Sequence, residues 1–366
     1  MSHIAIDARI INSSTGVYIE RMLHYLQDID RTNKYTVLVR AKDKNYWQPR
    51  NKNFSVTVAE FDNYSLAEQI GFKKFLDKLS PDLVHFCMPQ QPVFYRGRSV
   101  TTFHDLSLLR VYNSDKNWLV YHLKQLIGRF VFRRVARKSQ HIITPSEFTK
   151  TDLIAFAKIP SDKVTVTYES AEDISHKDLA PYEHPFKEFI LYVGAQSDYK
   201  NIKKLGEAHQ ILLKNNPGLG LILVGRKNEA ALTNEMYFNN KKFKNILFTD
   251  FIPDEQRNWL YTKTSAYVFP SLTEGFGLPG LEAMSHGAPV VSSNATSLPE
   301  VYDEAAHYFN PLDVSDMARA IGEVLADEKL KQELIKKGHA QVKKYSWRRM
   351  AKQTHGIYEQ VIISNS

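Results

Sequence analysis

The strongest constraint on the fold is an alternation along the chain between short β-branched or aromatic runs and longer stretches of helical periodicity. This alternation predicts parallel sheets built from strand–helix–strand units, because neighbouring parallel strands need a crossover connection. In the first half, strands are predicted at 3–8, 35–39, 54–58, 83–86, 100–103, 141–144 and 164–166. Helices are predicted at 16–29, 65–79, 117–137 and 147–157. The predicted fold class is α/β.

The second half repeats this scheme. Strands are predicted at 189–193, 219–224, 246–248, 266–269 and 290–292, and helices at 202–215, 255–262, 278–286, 314–326 and 329–345, followed by a last helix at 347–363. A chain of 366 residues has the length of about two domains. A polar stretch with Pro181 and Pro185 lies between the halves. We therefore expect a Rossmann-like domain at 1–170, a linker at 171–187 and a second Rossmann-like domain at 188–346.

Composition narrows the classes of protein that fit. The single cysteine, Cys87, excludes an internal disulfide and a cysteine zinc cluster, and it favours a reducing compartment. The densest apolar stretch, 219–224, is far shorter than the roughly 18 residues of a membrane span, and the first ten residues lack a signal-peptide pattern. We expect a cytoplasmic protein. Its net charge of +8 favours anionic partners. Nucleic acid is not an expected partner, because only this charge supports it.

The most informative segment, residues 271–287, reads SLTEGFGLPGLEAMSHG. It follows a predicted strand, with Pro279 suited to the first turn of a helix and Gly287 to its end. Glycines in the preceding loop allow close approach of a ligand to the backbone, and the free N–H groups of a helix start attract anions. Glu274 and Glu282 add carboxylates, which suit hydroxyl groups. The segment therefore predicts a site for a phosphorylated sugar.

The same segment resembles the E-x7-E signature of retaining glycosyltransferases of the GT-B fold, family 4. The resemblance covers nearly the whole chain and is strongest over 252–313. It implies two Rossmann-like domains facing a central cleft, with a nucleotide-sugar donor on the C-terminal domain and an acceptor held mainly by the N-terminal one. It also implies that the last helix, within 347–366, crosses back to the N-terminal domain.

The resemblance assigns roles to individual residues. Glu274 would hold hydroxyls of the donor sugar, and Glu282 would bind the ribose of the nucleotide. Lys200 would neutralise the donor diphosphate, and Arg226 would supply charge that the family often carries beside Lys200. The backbone near the donor would be that of Gly275, Phe276, Gly277 and Leu278.

Two further assignments fall in the first half of the chain. His104 follows a predicted strand directly and resembles the family histidine that contacts the donor sugar beside the reacting carbon. Asp105 beside it is expected to orient or cap the loop. Gly16 matches the glycine of the first strand-to-helix loop, which approaches phosphate or acceptor.

The function implied is transfer of a hexose, with mannose as the first choice, from a nucleotide sugar to a glycan or lipid-linked glycan with retention of configuration. Catalysis would rest on His104, Glu274 and Lys200, with front-face attack and no metal or cofactor beyond the GDP- or UDP-linked donor. The Asp28-Ile29-Asp30 triplet is interpreted as a polar turn. The alternatives are a GT-B sugar-nucleotide epimerase and a catalytically weak scaffold subunit in polysaccharide assembly.

The predicted helix at 117–137 has a second feature, a run of cations between Arg129 and Lys138. Its apolar residues at helical spacing predict a stripe packed on the sheet, formed by Leu123, Leu126, Ile127, Phe130, Val131 and Val135. The basic face of this helix could rest on an anionic membrane surface at the inner side of the cell membrane. The loop at 87–99 is predicted to form an acceptor rim.

Overall fold

The computed structural model describes residues 1–109, 118–171 and 179–364. The chain divides into two compact units: unit 1 comprises Met1–Glu169 and Ser346–Ser366, and unit 2 comprises Ser170–Tyr345. The stretch 171–187 falls within unit 2 in this division, and most of its first half, 172–178, lies outside the described residues.

Unit 1 contains, in its described part, a seven-stranded parallel sheet in the order β3-β2-β1-β4-β5-β6-β7. The strands are β1 (His3–Asp7), β2 (Lys34–Val39), β3 (Phe54–Val58), β4 (Leu83–Phe86), β5 (Ser99–Thr102), β6 (His141–Thr144) and β7 (Val164–Val166). The helices are α1 (Gly16–Ile29), α2 (Lys73–Leu79), α3 (Trp118–Lys138) and α4 (Glu147–Ala157), and a π-helical turn (Glu68–Phe72) leads into α2. The predicted strands and helices of this half are confirmed to within about three residues.

Unit 2 contains a six-stranded parallel sheet in the order β10-β9-β8-β11-β12-β13 over its described residues. The strands are β8 (Glu188–Val193), β9 (Leu219–Val224), β10 (Ile246–Phe248), β11 (Ala266–Phe269), β12 (Val290–Ser293) and β13 (Ala306–Phe309). The helices are α5 (Ile202–Leu212), α6 (Glu229–Asn240), α7 (Asp254–Lys263), α8 (Leu278–Ser285), α9 (Leu298–Tyr302), α10 (Val314–Ala326) and α11 (Glu328–Val342). Strand β9 is buried along its whole length, as expected for a parallel sheet covered on both faces.

The last helix, α12 (Trp347–Ile363), packs on α1 and belongs to unit 1, although the whole of unit 2 precedes it in the chain. Its Tyr358 hydroxyl lies 2.6 Å from Nδ1 of His85, a fully buried residue of β4. Burial, followed by the charge of His104, lowers the pKa of His85 to about 3. The predicted return of this helix to the first domain is confirmed.

Three elements of unit 2 were not predicted: α6, α9 and β13. Helix α6 has two large apolar side chains on its solvent side, Leu232 and Met236, so its sequence lacks a clean apolar stripe. Helix α9 has five residues and strand β13 has four, which is too short for a periodic pattern to stand out.

The predicted packing of α3 is wrong in part. Val135 is buried against the sheet and Val131 is partly buried, but Leu126, Ile127 and Phe130 are 67%, 54% and 60% exposed. The side chains that fill the core from α3 are instead Phe132, Val135 and Ala136. Apolar residues occupy more than one face of this helix, and periodicity alone did not show which face meets the sheet. The side chain of Leu123 lies outside the described residues.

A buried charge cluster closes the carboxyl end of β1. The guanidinium of Arg9 donates to both carboxylate oxygens of Asp7 at 2.8 Å and to Glu68 in the π-helical turn at 2.9 Å. It also stacks over the ring of Phe72 at 4.1 Å. The three charged side chains are at most 3% exposed. Each of these ions therefore depends on the others for its solvation.

Candidate active site

The loop between β11 and α8 has a backbone that only glycine tolerates at its end. Gly277 caps α8 with φ of 106°, and its carbonyl accepts a hydrogen bond of 2.6 Å from the buried Tyr302 hydroxyl. A Cβ atom at Gly277 would lie 2.6 Å from that hydroxyl oxygen, and one at Gly280 would lie 2.2 Å from it. Pro279 occupies the first turn and Gly287 follows the helix with φ of 77°, as predicted. The glycines thus fix a helix start that presents backbone N–H groups.

Lys200 and Glu274 form an ion pair at the carboxyl edge of the sheet in unit 2. Lys200 ends a short 3-10 turn after β8, and Glu274 follows the neighbouring strand β11. The Lys200 Nζ atom donates to Glu274 Oε1 at 2.6 Å, and both side chains are 12% exposed. Burial lowers the pKa of Lys200, but the Glu274 carboxylate outweighs burial, so the net shift is upward. Lys200 is a fixed cation.

The backbone around Glu274 is held by two hydroxyl residues. The Glu274 N–H donates to Thr296 Oγ1 at 3.0 Å, and Ser297 Oγ donates to the Glu274 carbonyl at 3.0 Å. Ser297 is fully buried. The Lys200 ammonium also lies over the rings of Tyr199 and Phe269, at 5.0 and 5.3 Å from their centroids. The pair therefore sits in a preorganised pocket rather than on mobile side chains.

Glu282 lies on α8, half-buried, a little over one turn after the helix begins at Leu278. The hydroxyl of the buried Tyr261 approaches its Oε2 atom at 3.4 Å. Burial and then the Glu282 carboxylate raise the pKa of Tyr261 well above its ordinary value, so Tyr261 keeps its proton. Glu282 is thus oriented by a hydrogen-bond donor that keeps its proton.

Two buried polar side chains in this region have no hydrogen-bond partner among the described residues. They are the amide of Gln196, in the loop after β8, and the hydroxyl of Ser271, directly after β11. An unsatisfied buried polar group costs free energy unless water or a ligand completes it. Because both follow the strands that carry Lys200 and Glu274, they extend the candidate site. Neither side chain was predicted as a site residue, although Ser271 begins the informative segment 271–287.

Arg226 lies further along the same edge, after β9, which neighbours β8 in the sheet. Its side chain is exposed, and the guanidinium lies 5.5 Å from the ring centroid of Phe251. No hydrogen bond or ion pair to Lys200 or Glu274 is formed in the described structure. Its predicted role at the diphosphate stays a prediction.

In unit 1, His104 leaves the sheet at the carboxyl end of β5 and is held from two sides. Its Nε2 atom lies 3.0 Å from the carbonyl oxygen of Cys87, and Nδ1 lies 3.4 Å from Glu169 Oε1. A carbonyl can only accept, so the Nε2 atom carries the hydrogen of that contact. The Tyr18 ring packs edge-on at 4.9 Å. The contact of His104 with a donor sugar stays a prediction.

Glu169 is a residue that the sequence analysis missed, because it begins the polar stretch before the linker. Its side chain is only 7% exposed. The available signal was its position directly after the last strand of unit 1, where the carboxyl ends of parallel strands collect functional side chains. The structure makes Glu169 the partner that orients His104.

The remaining assignments in unit 1 have local explanations. A Cβ atom on Gly16 would lie 1.9 Å from the Ile11 carbonyl oxygen, and the Gly16 N–H already donates to Ser13. Asp105 accepts from the Ser107 N–H at 2.7 Å, so its predicted role as a loop cap is confirmed. Asp30 accepts from the backbone of Thr32 and from nearby side chains after α1, as expected for a polar turn.

Comparison with known proteins identifies the family. Residues 15–170 match the family described as Glycosyltransferase Family 4, and residues 176–341 match Glycosyl transferases group 1. The O-antigen chain mannosyltransferase B of Escherichia coli is 32% identical over 72% of this chain and 70% of its own length.

Two solved structures share the fold along almost the whole chain. A sucrose-phosphate synthase from Thermosynechococcus elongatus has a TM-score of 0.79 at 18% identity, covering 100% of both chains. The Anabaena protein HepE, solved in complex with UDP and glucose, has a TM-score of 0.73 at 16% identity, covering 98% of this chain and 99% of its own. The two parallel-sheet units, the returning α12 and these matches lead to one assignment. The chain belongs to the family 4, group 1 glycosyltransferases of the GT-B fold.

Proposed function

We propose that this glycosyltransferase transfers mannose from GDP-mannose, with retention of configuration, to a glycan or lipid-linked glycan of a cell-surface polysaccharide. The observation that carries the proposal is the Lys200–Glu274 pair beside the start of α8, where a diphosphate group and a sugar hydroxyl can be bound by neighbouring groups. The choice of mannose and of polysaccharide rests on the similarity to the O-antigen chain mannosyltransferase B of Escherichia coli.

In the proposed reaction, the bond between the sugar C1 atom and the diphosphate oxygen breaks, and the acceptor oxygen attacks C1 from the same face. The acceptor proton passes to the departing phosphate oxygen, so atoms and charges balance without a covalent intermediate on the protein. Lys200 and the N–H groups at the start of α8 stabilise the negative charge of the leaving diphosphate. The proposed reaction requires no metal and no resident cofactor.

The other residues keep the roles that the family resemblance gave them. Glu274 accepts hydrogen bonds from the sugar hydroxyls, and Glu282 accepts from the ribose. Loss of one group that stabilises the leaving diphosphate costs about 10²–10³ in rate, by analogy with oxyanion-hole deletions. We place the reaction in the cytoplasm, since the lone Cys87 fits a reducing compartment.

The donor base is tested by thermal unfolding with GDP, UDP and ADP, each with and without magnesium. A nucleotide at 100 times its Kd adds about 2.7 kcal/mol to the free energy of unfolding. We expect stabilisation by GDP that does not depend on magnesium and that is weaker in Glu282→Ala. Glu304→Ala, an exposed carboxylate of the same unit, serves as the control. Stabilisation by UDP alone would move the donor to a UDP-linked hexose.

The stereochemical claim needs the product. With the stabilising donor and an oligosaccharide acceptor, the anomeric proton–carbon coupling of the product is read by NMR before any further incubation. An α-linked product from the α-linked donor supports retention, and a β-linked product refutes the proposed front-face course. A 4-epimer or 2-epimer of the donor appearing without transfer would favour the epimerase alternative instead. Nucleotide binding with neither product would favour the scaffold alternative.

A further inference from the structure

The segment at 59–72, which follows β3, holds an aromatic residue in a conformation that bulky side chains rarely adopt. Tyr64 has a φ of 64°, in the left-handed region, and the residue is 64% exposed. Such a conformation persists only where surrounding contacts fix it, and strained residues of this kind cluster at binding sites. Contacts with other parts of unit 1 must therefore hold Tyr64 in place.

The backbone of Tyr64 is tied to the buried charge cluster at the end of β1. Its N–H donates to Glu68 Oε2 at 2.9 Å, while Glu68 Oε1 accepts from Arg9. Glu68 begins the π-helical turn, a conformation that is rare and is often found at functional sites. The amide of Gln69, the next residue, bonds to two backbone groups of the loop after β4. The turn therefore anchors the 59–72 segment to the carboxyl edge of the sheet.

The hydroxyl of Tyr64 is fixed as well. It accepts a hydrogen bond from Nε2 of Gln90, a residue that is 2% exposed. A phenol can accept and donate at the same time, so Tyr64 keeps its own proton for a further partner. The Gln90 amide oxygen also has no hydrogen-bond partner among the described residues. With its backbone and its hydroxyl both held, the Tyr64 ring is a rigid exposed surface that still offers a donor.

Tyr64 lies at the same edge of the sheet as His104. Gln90, which binds the Tyr64 hydroxyl, is the fourth residue after β4. Cys87, the first residue after β4, accepts from His104 Nε2 at 3.0 Å through its carbonyl. Because β4 and β5 are neighbours in the sheet, their carboxyl ends bring the Tyr64 ring and the candidate histidine to one edge of unit 1.

The loop at 87–99, predicted as an acceptor rim, lies at this edge only with its first residues. Its exposed ring, Phe94, lines a cavity of about 620 Å³ together with Ser99, the first residue of β5, and Gln140, which precedes β6. These two positions mark the amino edge of the sheet. Phe94 therefore lies at the edge opposite His104.

The charges around Tyr64 are balanced. The 59–72 segment contains three carboxylates and no lysine or arginine. Each carboxylate has a cationic partner at 2.9 Å or less: Arg40 binds Glu60 and Asp62, and Arg9 binds Glu68. Within this segment there is neither a free cation for a phosphate nor a free carboxylate for a cationic ligand. The surface therefore favours an uncharged ligand.

The uncharged ligand that matches this surface is a sugar ring. A pyranose has an apolar face of C–H groups, which stacks on an aromatic ring, and hydroxyl groups at its rim, which exchange hydrogen bonds. Tyr64 offers both the ring and the hydroxyl proton. Leu66 and Ile70 add apolar surface to the same segment, at 80% and 58% exposure. They belong to no membrane span, since no described helix is long and apolar enough to cross a bilayer.

We propose that a neutral sugar ring of the glycan acceptor stacks on Tyr64, and that the Tyr64 hydroxyl donates to a hydroxyl oxygen of that sugar. This contact rests on the proposed glycosyl transfer and makes Tyr64 a specificity-determining residue for its acceptor. Glu68 and Gln90 are positioning residues, because they hold the Tyr64 ring before the sugar arrives and so reduce the ordering cost of binding.

The test measures acceptor binding and donor use separately. Binding of three neutral oligosaccharides, α-mannotriose, maltotriose and N-acetylated chitotriose, is measured by titration under saturation-transfer NMR without sugar nucleotide. We expect at least one of them to bind the wild type. Tyr64→Asn weakens its affinity by about 10-fold or more, since the ring and the hydroxyl are both lost, and asparagine tolerates the positive φ. Tyr64→Phe keeps the ring and loses about threefold.

Phe130→Ala is the matched control, because it removes a ring of unit 1 that is 60% exposed on α3. Its affinity for the oligosaccharide is expected to equal that of the wild type. Hydrolysis of GDP-mannose without acceptor is expected to be unchanged in Tyr64→Asn, and thermal melting confirms that each variant is folded.

Four results would overturn the role of Tyr64. They are no oligosaccharide binding by the wild type, unchanged affinity in Tyr64→Asn, an equal loss in Phe130→Ala, and a loss in Phe94→Asn instead, which would return the acceptor to the loop at 87–99. Hydrolysis of GDP-mannose that is absent in the wild type would refute the proposed donor, and the oligosaccharide titration would still decide the role of Tyr64.

Discussion

Glu274→Gln is expected to change stability and nucleotide affinity in opposite directions. The Lys200 ammonium has the Glu274 carboxylate as its ion-pair partner at 2.6 Å, and both side chains are 12% exposed. A hydrogen bond to a charged acceptor contributes about 1.5–3 kcal/mol, against about 0.5–1.5 kcal/mol for a neutral one. The glutamine keeps an acceptor oxygen but no charge, so the free energy of unfolding falls by about 1–1.5 kcal/mol.

The same energy enters binding if Lys200 holds the diphosphate as proposed, because Lys200 would then have to leave or share Glu274. The ion pair therefore opposes binding of a free nucleoside diphosphate, and a weaker pair opposes it less. A change of about 1 kcal/mol corresponds to roughly fivefold tighter binding in Glu274→Gln. Lys200→Met removes the cation itself. It leaves Glu274 without its ion partner, lowers the stability by about 2–4 kcal/mol, and weakens nucleotide binding by roughly 10-fold to 100-fold.

Urea unfolding gives the stabilities, and isothermal titration with the nucleoside diphosphate that stabilises the wild type gives the affinities. Glu235→Gln is the matched control, since the Lys227–Glu235 pair is 3.0 Å long but 32% exposed on both sides. Its effect on stability is expected to stay within about 1 kcal/mol. The reasoning is refuted if Glu274→Gln weakens nucleotide binding as Lys200→Met does, or if it leaves the stability unchanged.

Three further predictions concern unit 1. Glu169→Gln weakens the 3.4 Å contact that orients the proposed catalytic His104, so kcat is expected to fall by roughly 10-fold to 100-fold. A lower Tm with an unchanged kcat would show a structural role only. Arg9→Met leaves two buried carboxylates without a cation and lowers the free energy of unfolding in urea by about 3–5 kcal/mol. Loss of the solvent-exposed ion pairs of Arg40 is expected to cost about 0–1 kcal/mol. Equal losses at the two sites would contradict the argument from burial. The pKa of His85 is about 3 in the folded protein and about 6.5 in the unfolded chain, so the unfolded chain binds a proton first as the pH falls. The free energy of unfolding therefore falls by about 2 kcal/mol between pH 7 and pH 5. In His85→Gln this loss of stability, measured by urea unfolding at pH 7 and at pH 5, is expected to shrink by that amount.

The strands were predictable because a parallel sheet covered on both faces leaves unbroken apolar runs, as in Leu219–Val224. Helix α8 was predictable from its ends, since Pro279 and Gly287 each favour one position of a helix terminus. These signals are local, so they do not depend on contacts with residues distant in the sequence.

The parts that were missed depend on contacts distant in sequence. Lys200 and Glu274 were both predicted as site residues, but their separation of 74 positions in the sequence hid the fact that each is the other's partner. Glu169 was missed because its partner, His104, is 65 residues earlier. The orientation of α3 was missed because Phe130 and Phe132 are equally apolar, and only the neighbouring strands and helices decide which of them is buried.

Under the proposed roles, the Lys200–Glu274 ion pair would also let one site recognise both parts of a sugar nucleotide. A diphosphate that takes over Lys200 releases the Glu274 carboxylate, and a buried carboxylate without a partner is costly. A free nucleoside diphosphate leaves that cost uncompensated. A donor that still carries its sugar offers hydroxyl donors to Glu274 and so removes the cost. The proposed roles of Lys200 and Glu274 therefore predict that the wild type binds the intact donor more tightly than the free nucleoside diphosphate. Glu274→Gln is expected to reduce this preference, because it tightens binding of the free nucleoside diphosphate and weakens binding of the intact donor.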